Sequence, residues 1–484
     1  MGKTLLINGQ WQDSPETLPV VNPATAEVFE HTAKAMPEHI DAAVAAAKSA
    51  FASWASTGGR ERAAIMHRAA QIFRERYMDE AARLLTMENG KPLNDSIKEC
   101  RYTADVIDFY ADESRRVTGT HFAGDFGNTH SFIHKEPIGV VAAIIPWNFP
   151  VDLLAWKLGP GLAAGCTFVV KPSEEAPLAA LLLVKAFQEA GMPAGVINVV
   201  TGAGDVGAAL VEHPGVNKIA FTGSVATGKH IAEAAGRQLK RVTLELGGSA
   251  PFIVLEDANL EMAVADALRR AFSHTGQICI SVNRIFVQRK LYDDYVEAYT
   301  EKARQLRVAA DGLVEASADM GPMMNGAGIE KVQAHITDAV ESGAHLLVGG
   351  GRPAGSEYHP KGFFFSPTVL ANATPAMRVM QEETFGPVSP IAVFETLEDG
   401  IEMANSTPYG LAAYLYTQDM DAAFYATRKL QFGGIGVNVN DITDIRGPFG
   451  GYKQSGIGRE LGAPGMDSYM ETKHIRYRYQ HPRS

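Results

Sequence analysis

The chain is short of cysteine, of long apolar runs and of basic charge, and each shortage excludes a class of protein. Only Cys100, Cys166 and Cys279 occur in 484 residues. An odd, sparse set without paired spacing rules out a disulfide framework and fits a reducing compartment. The most apolar stretch, Val140 to Ile145, is cut short by Pro146, well below the roughly 20 residues that span a bilayer. Lys and Arg number 44 against 55 Asp and Glu, a net charge of −11. The chain therefore lacks the basic footprint that nucleic acid or an anionic membrane would need. At the N-terminus, Met1-Gly2-Lys3-Thr4-Leu5-Leu6 meets polar Asn8 too soon for the core of a secretory leader. Leu6 also stands where an N-myristoylation signal needs Ser or Thr. A cytoplasmic protein is expected.

What remains is ordinary soluble composition, 46% hydrophobic and 20% charged, in a chain too long for one core. Leu5-Leu6-Ile7-Asn8-Gly9-Gln10-Trp11 breaks an apolar run at Asn-Gly and predicts a small hairpin. From Ile40 to Glu99 the spacing turns helical. Thr118 to Lys135 is short, polar, β-prone text; its His130 and His134 share a face but lack a third ligand, so no metal site is expected.

A rhythm of short apolar runs follows, starting at Val140, Thr167, Val196, Lys218 and Val242, 27, 29, 22 and 24 residues apart, with helix-compatible text between. That is the spacing of strand–helix units in a doubly wound parallel sheet, which binds ligands at the carboxyl ends of its strands. Asn148, Lys171, Gly223 and Glu245 fall there. A second α/β series begins at Pro251-Phe252-Ile253-Val254, with a helix from Asn259 to Arg270 and later strand-like runs at Ile285–Val287, Leu346–Val348, Phe363–Phe365 and Ile391–Phe394. The tail Lys473 to Tyr479 alternates like an exposed edge strand.

The chemistry centres on Ser273-His274-Thr275-Gly276-Gln277-Ile278-Cys279-Ile280-Ser281. A thiol with a reference pKa near 8.5 is mostly protonated at neutral pH and needs a base or dipole to become a nucleophile. Glu245-Leu246-Gly247-Gly248, Pro146-Trp147-Asn148-Phe149-Pro150 and Glu383-Thr384-Phe385-Gly386-Pro387 accompany it. Together, in this order and over nearly the whole chain from Leu6, these resemble the signature set of the NAD(P)-dependent aldehyde dehydrogenase superfamily. The resemblance implies an α/β chain with three parts. Residues 1–117 and 139–246 would form a doubly wound NAD-binding domain, to which 450–467 return. Residues 247–449 would form a second α/β catalytic domain, and 118–138 with 468–484 a β oligomerisation arm of a homodimer or homotetramer.

It also implies roles. Cys279 is the nucleophile, Asn148 and the Cys279 N–H bind the oxyanion, and Glu245 activates the water that hydrolyses a thioester. Ile145, Trp147 and Leu246 border the cofactor, Glu383 holds the nicotinamide ribose, and Phe385 packs on the nicotinamide. The literal dinucleotide fingerprint Gly202-Ala203-Gly204-Asp205-Val206-Gly207 lacks the acidic residue about 20 positions on. Gly204 is therefore at most a close-packed turn near the adenine. The stronger phosphate site is Phe221-Thr222-Gly223-Ser224, where a strand ends and a helix N-terminus begins. Lys171, Ser173 and Glu174 suit an adenosine ribose; Glu174 would repel a 2′-phosphate, which favours NAD with NADP possible.

For the substrate, semialdehyde-oxidising members of that family carry arginines at the positions of Trp156 and Ser273. Phe149, Leu153, Trp156, Ile278 and Ile280 instead describe an apolar tunnel for a neutral aliphatic or aromatic aldehyde, with Asp152 at its mouth and Thr443 and Arg446 in a pocket-lining loop. Arg446 either meets an anionic substrate or makes a surface ion pair, so succinic semialdehyde and lactaldehyde-like hydroxyaldehydes stay open as alternatives. A coenzyme-A-acylating relative would lack Glu245, an acyl-phosphate reductase suits the Cys–Glu pairing less well, and a catalytically silent homologue would not need Cys279, Asn148 and Glu245 together.

Overall fold

The computed structural model describes residues 4–310 and 318–480; the Met1-Gly2-Lys3 segment lies outside them. An eight-stranded sheet runs in the order Gly456–Ile457, Arg241–Glu245, Lys218–Thr222, Val140–Ile144, Thr167–Lys171, Ile197–Val199, Leu5–Ile7, Gln10–Gln12. The five central strands are parallel. The expected hairpin is present, with Leu5 opposite Gln12 and Ile7 opposite Gln10. From Val140–Ile144 the chain builds outward first through residues 167–199 and then, on the other side, through 218–245. The sheet therefore reverses direction between Val140–Ile144 and Lys218–Thr222, where such folds open a crevice at the strand ends.

A second, seven-stranded sheet runs His345–Val348, Thr368–Ala371, Val388–Phe394, Val282–Gln288, Ala250–Val254, Ala412–Tyr416, Gly434–Val437. All its pairs are parallel except the antiparallel edge His345–Val348. The central strands of both sheets are buried along their whole length, as strands covered on both faces must be.

One expected strand is absent. Phe363–Phe365 is irregular and pairing begins at Thr368. Phe364 and Phe365 are buried, so the run is apolar for packing. Its backbone is spent on loops, the Phe363 N–H donating to the Pro23 carbonyl and the Met323 N–H to the Phe363 carbonyl.

The tail strand Met470–Arg478 pairs antiparallel with Thr129–Pro137, which pairs in turn with Thr120–Ala123. The fully buried helix Pro150–Ala164 packs against the strands Val140–Ile144 and Thr167–Lys171. Its first N–H groups have no partner within the helix, and the Glu99 carboxylate accepts from Val151 N and Asp152 N at 3.1 and 3.3 Å. No helix among the described residues is long and apolar enough to cross a membrane.

Candidate active site

Two cavities meet at one thiol. Cys279 sits on the loop between the helix Leu260–Phe272 and the strand Val282–Gln288. Asn259 caps that helix, accepting from Met262 N at 3.0 Å. The loop is held tightly: Ser281 Oγ donates to the Arg270 carbonyl at 3.0 Å, and Gln277 Oε1 accepts from Met324 N at 2.9 Å. His274 and Thr275 take positive φ angles of 47° and 58°, and Phe385 across the site takes 55°. Such non-glycine conformations cost of order 1–3 kcal/mol each and persist where the surroundings over-determine them. Gly248 is required by proximity, since a Cβ there would stand 2.4 Å from the Cys279 carbonyl oxygen.

The first cavity, about 500 Å³, opens beside the carboxyl ends of the first sheet. Trp147, Gly223, Ser224, Leu246, Glu383 and Phe385 line it. Ser224 caps the helix Val225–Arg237, accepting from Thr227 N at 3.2 Å, which turns the first N–H groups of that helix toward an anion. Trp147 and Phe385 meet edge to face, ring centroids 5.5 Å apart. Glu383 Oε1 accepts from Gly248 N at 2.9 Å, while Oε2 has no partner among the described residues. Burial, only partly offset by that bond, raises the Glu383 carboxyl to about 7. Gly247 keeps the space open, because a Cβ would meet Glu383 Oε2 at 2.3 Å. A half-buried, half-satisfied carboxylate, a bare glycine cradle, two aromatic faces and a helix N-terminus fit the ribose, ring and phosphate of a nicotinamide dinucleotide.

Farther along the strand ends, Lys171 Nζ reaches Glu174 Oε2 at 3.1 Å, and Ser173 Oγ accepts from Glu175 N at 3.3 Å. Ile145 N donates to the Lys171 carbonyl at 3.0 Å. These residues, with Phe221 and Gly204, do not line the cavity that reaches the thiol. Gly204 differs from expectation: nothing lies within 4 Å of where its Cβ would be, and Gly202 is the close-packed residue of that turn.

The second cavity, about 400 Å³, shares Asn148, Leu153, Thr222, Glu245, Leu246 and Cys279 with the first. Phe149, Asp152, Trp156, Ile278, Ile280 and Thr443 line it as expected, together with Phe449. The Trp156 indole N–H donates to Asp152 Oδ1 at 2.9 Å. Burial and the nearby Glu99 push the Asp152 carboxyl well above its usual range. Arg446 requires correction. Its side chain is 80% exposed and paired with Asp444 at 2.8 Å, and it does not line the cavity. An exposed guanidinium next to an aspartate two residues away has no reason to turn inward.

At the junction, Asn148 Nδ2 donates to the Gln277 carbonyl at 3.0 Å. The Asn148 backbone is braced from behind: Lys91 Nζ donates to its carbonyl at 2.7 Å while paired with Glu99, and Asn89 Nδ2 donates to the Trp147 carbonyl at 2.6 Å. Glu245 ends its strand opposite Thr222, fully buried, with neither carboxylate oxygen hydrogen-bonded. Burial first, then the neighbouring Glu460, holds its carboxyl well above the usual range. Lys157 Nζ balances Glu460 at 2.8 Å and donates to Thr222 Oγ1 at 2.7 Å. Burial, with Glu383 and Glu245 adding to it, pushes the Cys279 thiol up to about 12. Burial thus favours the neutral thiol at Cys279 and the protonated carboxyl at Glu245.

Sequence reasoning passed over Lys157, Glu460, Lys91 and Arg270. Lys157 had a signal, being the one cation in a fully buried helix whose only other charged residue is Asp152. Glu460 had none, since its partner Lys157 lies 303 residues away in the chain.

Two α/β sheets with a cysteine where a dinucleotide-shaped cavity meets a partly apolar one define an aldehyde-oxidising enzyme class. Comparison with known proteins agrees. The aldehyde dehydrogenase family profile matches residues 11–475. Succinate-semialdehyde dehydrogenase (NADP+) GabD of Escherichia coli is 40% identical over 97% of this chain and 96% of its own. A 3-sulfolactaldehyde dehydrogenase of Pseudomonas putida is 41% identical with the same coverage. The structure of betaine aldehyde dehydrogenase from Staphylococcus aureus in complex with NAD+ superposes with a TM-score of 0.96 at 35% identity, covering 99% of this chain and 95% of that one. The chain belongs to the aldehyde dehydrogenase family and is an NAD(P)-dependent oxidoreductase acting on aldehydes.

Proposed function

We propose that the chain oxidises its aldehyde to the carboxylic acid through a covalent intermediate on Cys279. The observation that carries this reading is the meeting of Cys279, Glu245 and Asn148 at the wall common to both cavities. The thiol adds to the aldehyde carbon as its proton passes to solvent water, giving a thiohemiacetal anion and leaving Glu245 free for the later step. Asn148 Nδ2 exchanges the Gln277 carbonyl for the developing oxyanion, and the Cys279 N–H supplies the second donor. Bound NAD(P)+ supplies the hydride acceptor that takes this adduct to the thioester. Glu245 then removes a proton from water, which attacks the thioester carbonyl; the carbon–sulfur bond breaks, the acid leaves, and the proton on Glu245 returns to the Cys279 sulfur. Asn148→Ala should lower kcat by about 100- to 1,000-fold with nucleotide affinity retained. Steady-state kinetics alongside fluorescence titration of NADH separate the two.

For the cofactor, Ser224 and the helix behind it would hold phosphate, Glu383 the nicotinamide ribose, and Lys171 with Glu174 the adenosine ribose. Trp147, Leu246 and Phe385 would flank the ring, and Ile145, Phe221 and Gly204 stay peripheral. NAD preference follows from Glu174, whose carboxylate repels a 2′-phosphate. Glu174→Gln should weaken NAD and improve NADP, narrowing the ratio of their kcat/KM values. A wild type that strongly favours NADP would mean that Glu174 points elsewhere.

We assign residues 1–117, 139–246 and 450–467 to the cofactor domain, 247–449 to the catalytic domain, and 118–138 with 468–484 to an oligomerisation arm. The exposed Phe122, Phe126 and Tyr477 on or beside the three-stranded sheet support a homodimer or homotetramer, which light scattering would measure. Free thiols, one of them the nucleophile, suit the reducing cytoplasm.

The stem of the substrate passes Phe149, Leu153, Trp156 and Phe449. The expectation of neutral aldehydes rested on the apolar tunnel and on Trp156 and Ser273 standing where arginines would be; Arg446 faces solvent, but Arg270 faces the cavity and offers a cation there.

A further inference from the structure

We propose that the Arg270 guanidinium receives an acidic group at the far end of the substrate, so that this enzyme prefers short aldehydes with a carboxylate or sulfonate tail. This rests on the dehydrogenase reading above and adds the tail specificity to it.

Arg270 lies in the last turn of the helix that leads into the Cys279 loop and lines the same cavity as the thiol. Its side chain is 14% exposed. Two of its nitrogens are committed: Nε donates to the Asn440 carbonyl at 2.5 Å, and Nη2 pairs with Asp441 Oδ2 at 2.8 Å. Nη1 has no acceptor among the described residues. Asp441 is itself fixed, since Oδ1 accepts from Thr443 N and Oγ1 at 2.8 and 2.6 Å, so the guanidinium is held as an oriented fork. Arginine forks match two-oxygen anions with a rigidity lysine lacks.

Charge accounting favours an anion. Among the ionisable groups lining the cavity, Lys91 is paired with Glu99 and Lys98 with Asp95. Glu460 is paired with Lys157, outside the lining. The Asp152 and Glu245 carboxyls are pushed up by burial and neighbouring carboxylates towards their neutral forms. Arg270 is balanced by Asp441, which leaves Arg269 at the rim, exposed and without an acceptor among the described residues. The exposed Arg269 thus stands at the mouth beside one open guanidinium edge, while the apolar residues near the thiol accept a hydrocarbon stem. Trp156 and Ser273 contribute no cation of their own. The acid-tailed substrates named for the relatives described above have this shape, an aldehyde at one end and an acid at the other.

The test compares succinic semialdehyde, 3-sulfolactaldehyde and butanal on the purified full chain with NAD, in wild type and Arg270→Gln. Wild type should favour at least one acid-tailed aldehyde over butanal by about tenfold or more in kcat/KM, and the better arm names the acid as carboxylate or sulfonate. Arg270→Gln should lose roughly 30-fold or more with that substrate, mainly through KM. Butanal, which offers no tail to hold, should change by less than about threefold on the same argument. An equal fall with butanal, or no fall with the acid, overturns the proposal. Should Arg270→Gln fail to fold, Asp441→Asn serves instead. It frees the guanidinium and should raise kcat/KM several-fold for the acid-tailed aldehyde alone; no selective rise overturns the proposal. A wild type that forms no NADH with any of the three would contradict the dehydrogenase reading rather than the tail receptor.

Discussion

Cys279→Ala should lower aldehyde oxidation by at least about 10,000-fold, in line with the loss of other enzymatic nucleophiles, while leaving NADH binding in place. The first cavity is built mostly from other elements: the loop Pro146–Asn148, the turn at Gly223–Ser224 and the Glu383–Phe385 segment. Removing one sulfur leaves these untouched. The other two thiols are the internal control. Cys100 packs in the core with its thiol pushed up by burial, and Cys166 donates only to the Tyr469 carbonyl at 3.3 Å. Cys100→Ala and Cys166→Ala should remain active, with stability losses of order 1–2 kcal/mol for the space vacated. Substantial turnover by Cys279→Ala would end the mechanism.

Glu245→Gln separates the two halves of the reaction. The amide keeps the shape of the side chain and cannot take a proton from water, so steady-state turnover should fall by about 100- to 10,000-fold. Hydride transfer needs no base once the thiohemiacetal has formed, so rapid mixing should show a burst approaching one NADH per site on the order expected of a covalent intermediate. The wild-type pH profile follows from the same group. A carboxyl held above its ordinary range by burial and Glu460 becomes a base only as pH rises through that elevated value. Deacylation should therefore rise towards alkaline pH with a limb displaced upward from ordinary carboxylates, and Glu245→Gln should flatten it. A variant with an unchanged steady-state rate would assign the base elsewhere.

Much of this site was legible because its residues lie at the ends of elements whose period is visible. Strands of five or so apolar residues at regular spacing predict the first sheet, and a residue just past a strand's end, such as Asn148 or Gly223, falls at the crevice by topology alone. Phe363–Phe365 misled for a physical reason: aromatic residues buried by a loop look like a strand when only composition is read. Arg446 misled because position in a pocket-lining loop does not say which way a side chain points, and a nearby Asp444 decided it. Arg270 went unnoticed since a basic residue in the last turn of a helix is already explained by the helix dipole. Its second identity, as a wall of the substrate cavity, depends on Asp441, 171 positions away in the numbering. The Lys157–Glu460 pair behind Glu245 spans 303 residues and is similarly invisible to local reading.

The central claim is a carbon–sulfur bond to Cys279, and acid-quenched mass spectrometry of Glu245→Gln measures it directly. After mixing with NAD and aldehyde, the account predicts one acyl group per chain, located by peptide mapping on the segment containing Cys279 and removed by hydroxylamine. NADH formed with the protein mass unchanged, or an acyl group on any residue other than Cys279, would contradict it.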